Sequence, residues 1–164
     1  MYNQSILMLH KIESTQFIKS DINAIWDFIS SPANLAVITP AYMKFTVINN
    51  DKAIEKMYPG QIIEYHVSPV LGIKLNWVTE ITHISDKNYF VDEQRFGPYS
   101  FWHHKHFIKE VEGGIEMSDI VYYKLPFGFL GRIINIFFVK KQLKEIFDYR
   151  HQKIEELFNS KDHT

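Results

Sequence analysis

Residues 130–158 read LGRIINIFFVKKQLKEIFDYRHQKIEELF, and the apolar positions of this stretch decide the architecture. Val139, Leu143, Ile146, Phe147, Ile154, Leu157 and Phe158 follow the three-and-four spacing of one helix face. At 1.5 Å per residue the helix runs about 40 Å, long enough to lie across a whole sheet. Its first half, which holds Ile133, Ile134, Ile136, Phe137, Phe138 and Val139, is apolar nearly all round. That predicts cover on more than one side, with Ile133, Ile134 and Phe137 in the core beneath the helix.

Upstream the period changes to two. Strand-like runs occupy His10–Ile18, Phe45–Asn49, Gln61–Ser68, Ile73–Ile84, Tyr89–Arg95, Ser100–Val111 and Ile115–Leu125. Turn-formers separate the later ones: Tyr58-Pro59-Gly60, Pro69, Asp86-Lys87-Asn88, Gly97-Pro98 and Gly113-Gly114. Between the first two, Ser20 is placed to cap a helix with Ile22, Ile25, Trp26 and Ile29 on its stripe, and Pro32 opens a second short helix. The order is strand, two short helices, six strands and one long helix. An α+β fold satisfies it with short connections: a curved antiparallel sheet wrapped around the C-terminal helix.

The length of 164 residues and the lack of repeats or linkers favour a single domain, 1–164, with a core at about 10–158. Apolar residues make up 46% and charged residues 23%, which excludes a disordered chain. A net charge of −1 excludes a protein built to coat nucleic acid. With no cysteine, disulfide scaffolds, thiolate zinc sites and cysteine nucleophiles are excluded as well. Met1 to Ser5 lacks a basic leader, Ile6 to Leu9 is too short for a signal, and Phe127 to Val139 is broken by Arg132 and Asn135. A transmembrane span needs about 20 apolar residues, so a soluble, cytoplasmic protein is expected. Aromatics reach 15%, and such rings serve as the walls of a ligand-holding interior as readily as they fill a core. Only three arginines, Arg95, Arg132 and Arg150, stand among 18 basic residues. Each is a candidate for planar, forked recognition, and Arg150 is expected to pair with an acidic neighbour or reach the sheet edge.

Gln94-Arg95-Phe96-Gly97-Pro98-Tyr99, Trp102-His103-His104-Lys105-His106-Phe107, Asp119-Ile120-Val121-Tyr122-Tyr123 and Leu125-Pro126-Phe127-Gly128 resemble a bacterial branch of the SRPBCC superfamily. Its helix-grip fold is shared by START lipid-transfer domains, polyketide cyclases and the birch-pollen-allergen group. The resemblance implies a cavity between sheet and helix. It names no ligand, and the fold hosts carriers and enzymes alike.

Turn geometry predicts which side chains face that cavity. A two-residue Gly113-Gly114 turn sets His104 opposite Tyr123, His106 opposite Val121 and Ile108 opposite Asp119, with Trp102 on the same inward face. A two- or four-residue loop at Gly97-Pro98 sends Tyr89, Val91, Glu93 and Arg95 inward, and a three-residue loop sends Asp92 and Gln94 inward instead. The expected ligand-binding wall is therefore Trp77, Glu93, Arg95, Trp102, His104, His106, Asp119 and Tyr123. So many polar groups on a concave face need partners, either one another or the polar end of a ligand.

His104 and His106, with Glu93 or Asp119, have the donor types of a zinc or iron site. The spacing is common and His103 points the wrong way, so no metal or other cofactor is expected. Ser100 and Ser118 lack a nucleophile elbow, and no phosphate-binding glycine loop exists. Arg132, Lys140 and Lys141 among apolar residues form a pattern that also rests on membrane surfaces. The resulting expectation is a binder of a small, largely hydrophobic or amphipathic molecule with one polar end. The alternatives are an acid–base enzyme of cyclase or dehydratase type in the same cavity, and a protein-interaction module with a vestigial cavity.

Overall fold

The computed structural model describes residues 9–48, 56–69 and 72–159. Met1 to Ser5 and Asn49 lie outside the described residues. Strand β1 (His10–Ile18) leads into helix α1 (Ile22–Ile29) and two short 3₁₀ turns, Pro32–Ala36 and Ala41–Met43. Then come β2 (Thr46–Val47), β3 (Gln61–Val67), β4 (Leu75–Ser85), β5 (Tyr89–Phe96), β6 (Phe101–Val111) and β7 (Gly114–Lys124). They form one antiparallel sheet in the order β1-β7-β6-β5-β4-β3-β2. Helices α2 (Gly128–Ile134) and α3 (Lys140–Ile154) are joined by a π-helical turn, Asn135–Val139, and a second π turn, Glu155–Asn159, ends the helix.

Local chemistry accounts for these elements. Asp21, rather than Ser20, caps α1, its carboxylate accepting the backbone N–H groups of Asn23 and Ala24. In β7 every second residue from Ile115 to Tyr123 is buried, the pattern of a strand with one covered face. An added Cβ at Gly131 would lie 2.1 Å from the carbonyl oxygen of Pro126, so only glycine allows the helix to fold back this closely.

The β6–β7 register differs from the expected one by two residues. The turn is Glu112-Gly113, with Gly113 at φ 84°, and Gly114 already belongs to β7 opposite Val111. His104 therefore faces Val121, and His106 faces Asp119. Because the slip is even, Trp102, His104, His106 and Ile108 remain on the inward face.

The helix runs on from Gly128 to Asn159, but its first half is not covered on two sides. Ile136, Phe137 and Phe138 are 67–68% exposed, and Ile133 and Ile134 also reach the surface. Buried contacts of the helix come from Val139, Leu143, Phe147 and Ile154, which pack toward Val121 and Tyr123 or toward α1 and its neighbours. None of the described helices is long and apolar enough to cross a membrane.

Candidate functional site

Between sheet and helix lies a cavity of about 250 Å³. Its aromatic side is built by β3, β4 and β6: Tyr65 stacks on Trp77, and Trp102 meets Trp77 edge-on. Tyr99 closes this group, with ring centroids 4.8 Å from Trp102 and 5.8 Å from Tyr123.

Drawing Tyr99 inward fixes the parity of β5. Gln94 spans the loop with both ends of its amide, donating to the Tyr99 carbonyl at 2.6 Å and accepting the Tyr99 N–H at 3.2 Å. The loop thus takes three-residue parity, and Phe90 and Asp92 face inward opposite His106 and His104. Glu93 and Arg95, expected on the cavity wall, stand on the outer face of the sheet. There Arg95 donates to Glu93 and Glu80, and His103 pairs with Glu93 at 2.8 Å. Both call for correction as interior residues, because the loop length sets which side of β5 they occupy.

Of the other expected residues, Trp77, Trp102, His104 and His106 line the cavity. Tyr123 points inward but is buried behind the lining, its hydroxyl donating to Asn135 Oδ1 at 2.9 Å. Asp119 stands behind the histidines. Asp92 and Arg150, which were not on the expected wall, complete the polar end of the cavity.

This polar end is a compact cluster. Asp119 Oδ1 accepts from His104 Nε2 at 2.9 Å, from His106 Nδ1 at 2.8 Å and from Arg150 Nη1 at 3.4 Å. On the cavity side, His106 Nε2 lies 2.8 Å and His104 Nδ1 3.4 Å from Asp92 Oδ2. Phe90 stacks on His106 with centroids 4.0 Å apart, and Phe147 meets His104 edge-on. The two imidazoles are held by rings on both sides and by carboxylates fore and aft.

The protonation pattern follows from donor counting. A neutral imidazole has one N–H, yet His106 presents both nitrogens to carboxylate oxygens at hydrogen-bond distance, which favours the imidazolium. Burial pulls the His106 pKa down, but the hydrogen bonds to Asp119 and Asp92 outweigh it and the value is raised. His104, lowered by burial and by the charge of His106, stays neutral and donates through Nε2. Burial opposes ionisation of Asp119, but Arg150 and the two histidines hold it well below the usual carboxylate range. Asp92 is lowered against burial by the same histidines. With Arg150 and His106 positive and both aspartates negative, the cluster is neutral, so it can be buried.

Unfolded aspartates titrate near about 3.9, and the folded pair stays ionised to lower pH. Their stabilisation is complete above that range and is lost as pH falls through the folded values. His106, raised, contributes below about 6.5 and loses its contribution as pH rises through its folded value, while His104, lowered, has the opposite slope. Urea midpoints in chelator-treated buffer should be highest near about pH 6.5, fall as pH rises through the folded value of His106, and drop steeply below about pH 4. Asp119→Asn should flatten that acid limb, and an unchanged limb would show that the cluster is not its source.

Two buried donors at this site lack an acceptor among the described residues: Trp77 Nε1 and Arg150 Nε. Arg150 also lines a void of about 10 Å³ with Gln16, whose Oε1 is likewise unpartnered. That void is of the size of one water molecule.

A scan against protein-family models finds no match, and a search of curated proteins finds none. Solved structures do match along nearly the whole chain. A Mycobacterium smegmatis protein is 17% identical with a TM-score of 0.64, covering 90% of this chain and 89% of its own. A Chromobacterium violaceum protein is 11% identical with a TM-score of 0.69, covering 91% and 97%. Major latex-like protein 151 from Panax ginseng is 13% identical with a TM-score of 0.63, covering 92% and 97%. The fold is the helix grip. The cavity described above lies between the sheet and the helix of this fold.

Proposed function

We propose that this helix-grip chain binds a small molecule with an apolar, ring-bearing body and an acidic end. The carrying observation is a mostly apolar cavity that Asp92, His104, His106 and Arg150 line together, with Arg150 Nε lacking an acceptor among the described residues. A guanidinium recognises carboxylates and phenolates through charge-assisted hydrogen bonds, and aromatic walls suit flat apolar bodies. At about 30 Å³ per water-sized unit, the cavity of about 250 Å³ holds roughly eight such units, the scale of a small ring-bearing acid.

Calorimetric titration with 2-naphthoate and its neutral methyl ester tests this reading, with Trp102 fluorescence as a second signal. The acid should bind more tightly than the ester. Arg150→Met should weaken the acid by about 2 kcal/mol or more and the ester far less. Failure of a panel of such acids to bind, with a crystal structure showing the sheet–helix space filled by side chains, would end the proposal.

A second reading, acid–base catalysis of cyclase or dehydratase type, rests on His104 and His106 facing the same space. It requires exchange of an enolisable substrate proton for deuterium, lost in His106→Gln and visible by NMR.

A further inference from the structure

We propose that Asp92, His104 and His106 bind a divalent first-row transition metal ion through Asp92 Oδ2, His104 Nδ1 and His106 Nε2, with the remaining coordination positions open to the cavity. From the sequence pattern the carboxylate beside these histidines is Glu93 or Asp119, and no metal is expected. With Asp92 inward, two histidines and one carboxylate converge, each offering a donor atom within 4.8 Å of the others. Metal–ligand bonds of about 2.0–2.2 Å set neighbouring donors about 2.9–3.4 Å apart in octahedral or tetrahedral sites. The observed separations from Asp92 Oδ2 are 2.8 and 3.4 Å.

The groups behind the histidines complete the case. Asp119 takes the N–H of each imidazole on the side away from the cavity, which fixes both tautomers. The two remaining nitrogens then face Asp92 as lone pairs unless a cation stands between. A proton on His106 meets that need in one contact, and a metal ion meets it in both. Arg150 steadies Asp119 from α3. All three proposed ligands line the cavity while Asp119 does not, so ligands and supporting group are sorted by side. Replacing the proton by a divalent ion leaves the cluster with one net positive charge, which an acidic ligand neutralises. The proposal stands on the donor geometry and needs no organic ligand.

Untagged protein stripped with chelator and titrated with Co(II) should develop visible d–d bands that saturate at one equivalent, and it should retain one Zn(II) after dialysis. His104→Gln, His106→Gln and Asp92→Asn should each weaken retention by at least tenfold. Asp119→Asn should weaken it roughly 10–100-fold without abolishing the bands. Folding of each variant is checked by circular dichroism, and the wild-type titration decides even if every variant unfolds. Absence of bands and of retained zinc in wild type overturns the proposal, as does full retention by a folded Asp92→Asn variant. Since no organic probe is used, such a failure leaves the ligand reading to its own test.

Discussion

Asp119→Ala should destabilise the protein by about 3–5 kcal/mol, the cost of breaking a buried ion cluster from one side. The carboxylate is only 4% exposed and serves three donors through one oxygen atom. Its removal leaves Arg150 and His106 as buried cations facing Asp92 alone, and it frees both imidazole N–H groups that it held. Deprotonation of His106 would recover part of the loss, so the penalty should shrink as pH rises. Asp119→Asn keeps one acceptor oxygen and should cost less. Urea unfolding followed by tryptophan fluorescence measures both variants. A loss below about 1 kcal/mol for the alanine variant would mean that solvent reaches the cluster and screens it.

Leu143→Ala should cost about 2–5 kcal/mol, because the side chain is 4% exposed and packs with Val121, Tyr123, Val139 and Phe147. The spread reflects how far the neighbours can relax. Leu143 borders the cavity, so part of the deleted volume joins an existing space instead of creating a new one. That argues for the lower half of the range. A change below about 0.5 kcal/mol would place Leu143 off the buried stripe and the helix in another register.

These two residues mark what the sequence made legible. Leu143 sits on a stripe visible from its spacing alone, and the strand runs were bounded by turn-formers, so the helix grip could be read without coordinates. Asp119 and both histidines keep the inward face that the turn pattern predicts, because the slip of register is even and preserves parity. Asp92 and Arg95 exchanged sides for the opposite reason: the Gly97–Tyr99 connection has odd parity, set by the Gln94 side chain gripping Tyr99 and by burial of the Tyr99 ring. No local pattern announces that grip. For Arg150 a signal was present, since Leu143, Phe147, Arg150 and Ile154 recur on one helical face and all are buried. A lone charge on an apolar stripe must find a partner inside, and here that partner is Asp119. The first half of the helix misled for a different reason. Apolar composition all round predicts cover, yet the sheet supplies it on one side only.

The strand order also constrains the sequence of events in folding. Strands β3 to β7 pair successively through short connections, whereas β1, made first, pairs with β7, made last of the strands. Ser14 meets Asp119 only after nearly the whole sheet has been traversed. Closing so long a loop costs about 3 kcal/mol more entropy than closing a tight hairpin, so this pairing belongs late on the pathway. Substitutions in β1 should accordingly accelerate unfolding while leaving the refolding rate nearly unchanged. During synthesis on the ribosome β1 and α1 emerge long before their partners. The amphipathic α1 then holds Ile25, Trp26 and Ile29 in water until the chain is almost complete, and it is this early segment that a chaperone would have to shield.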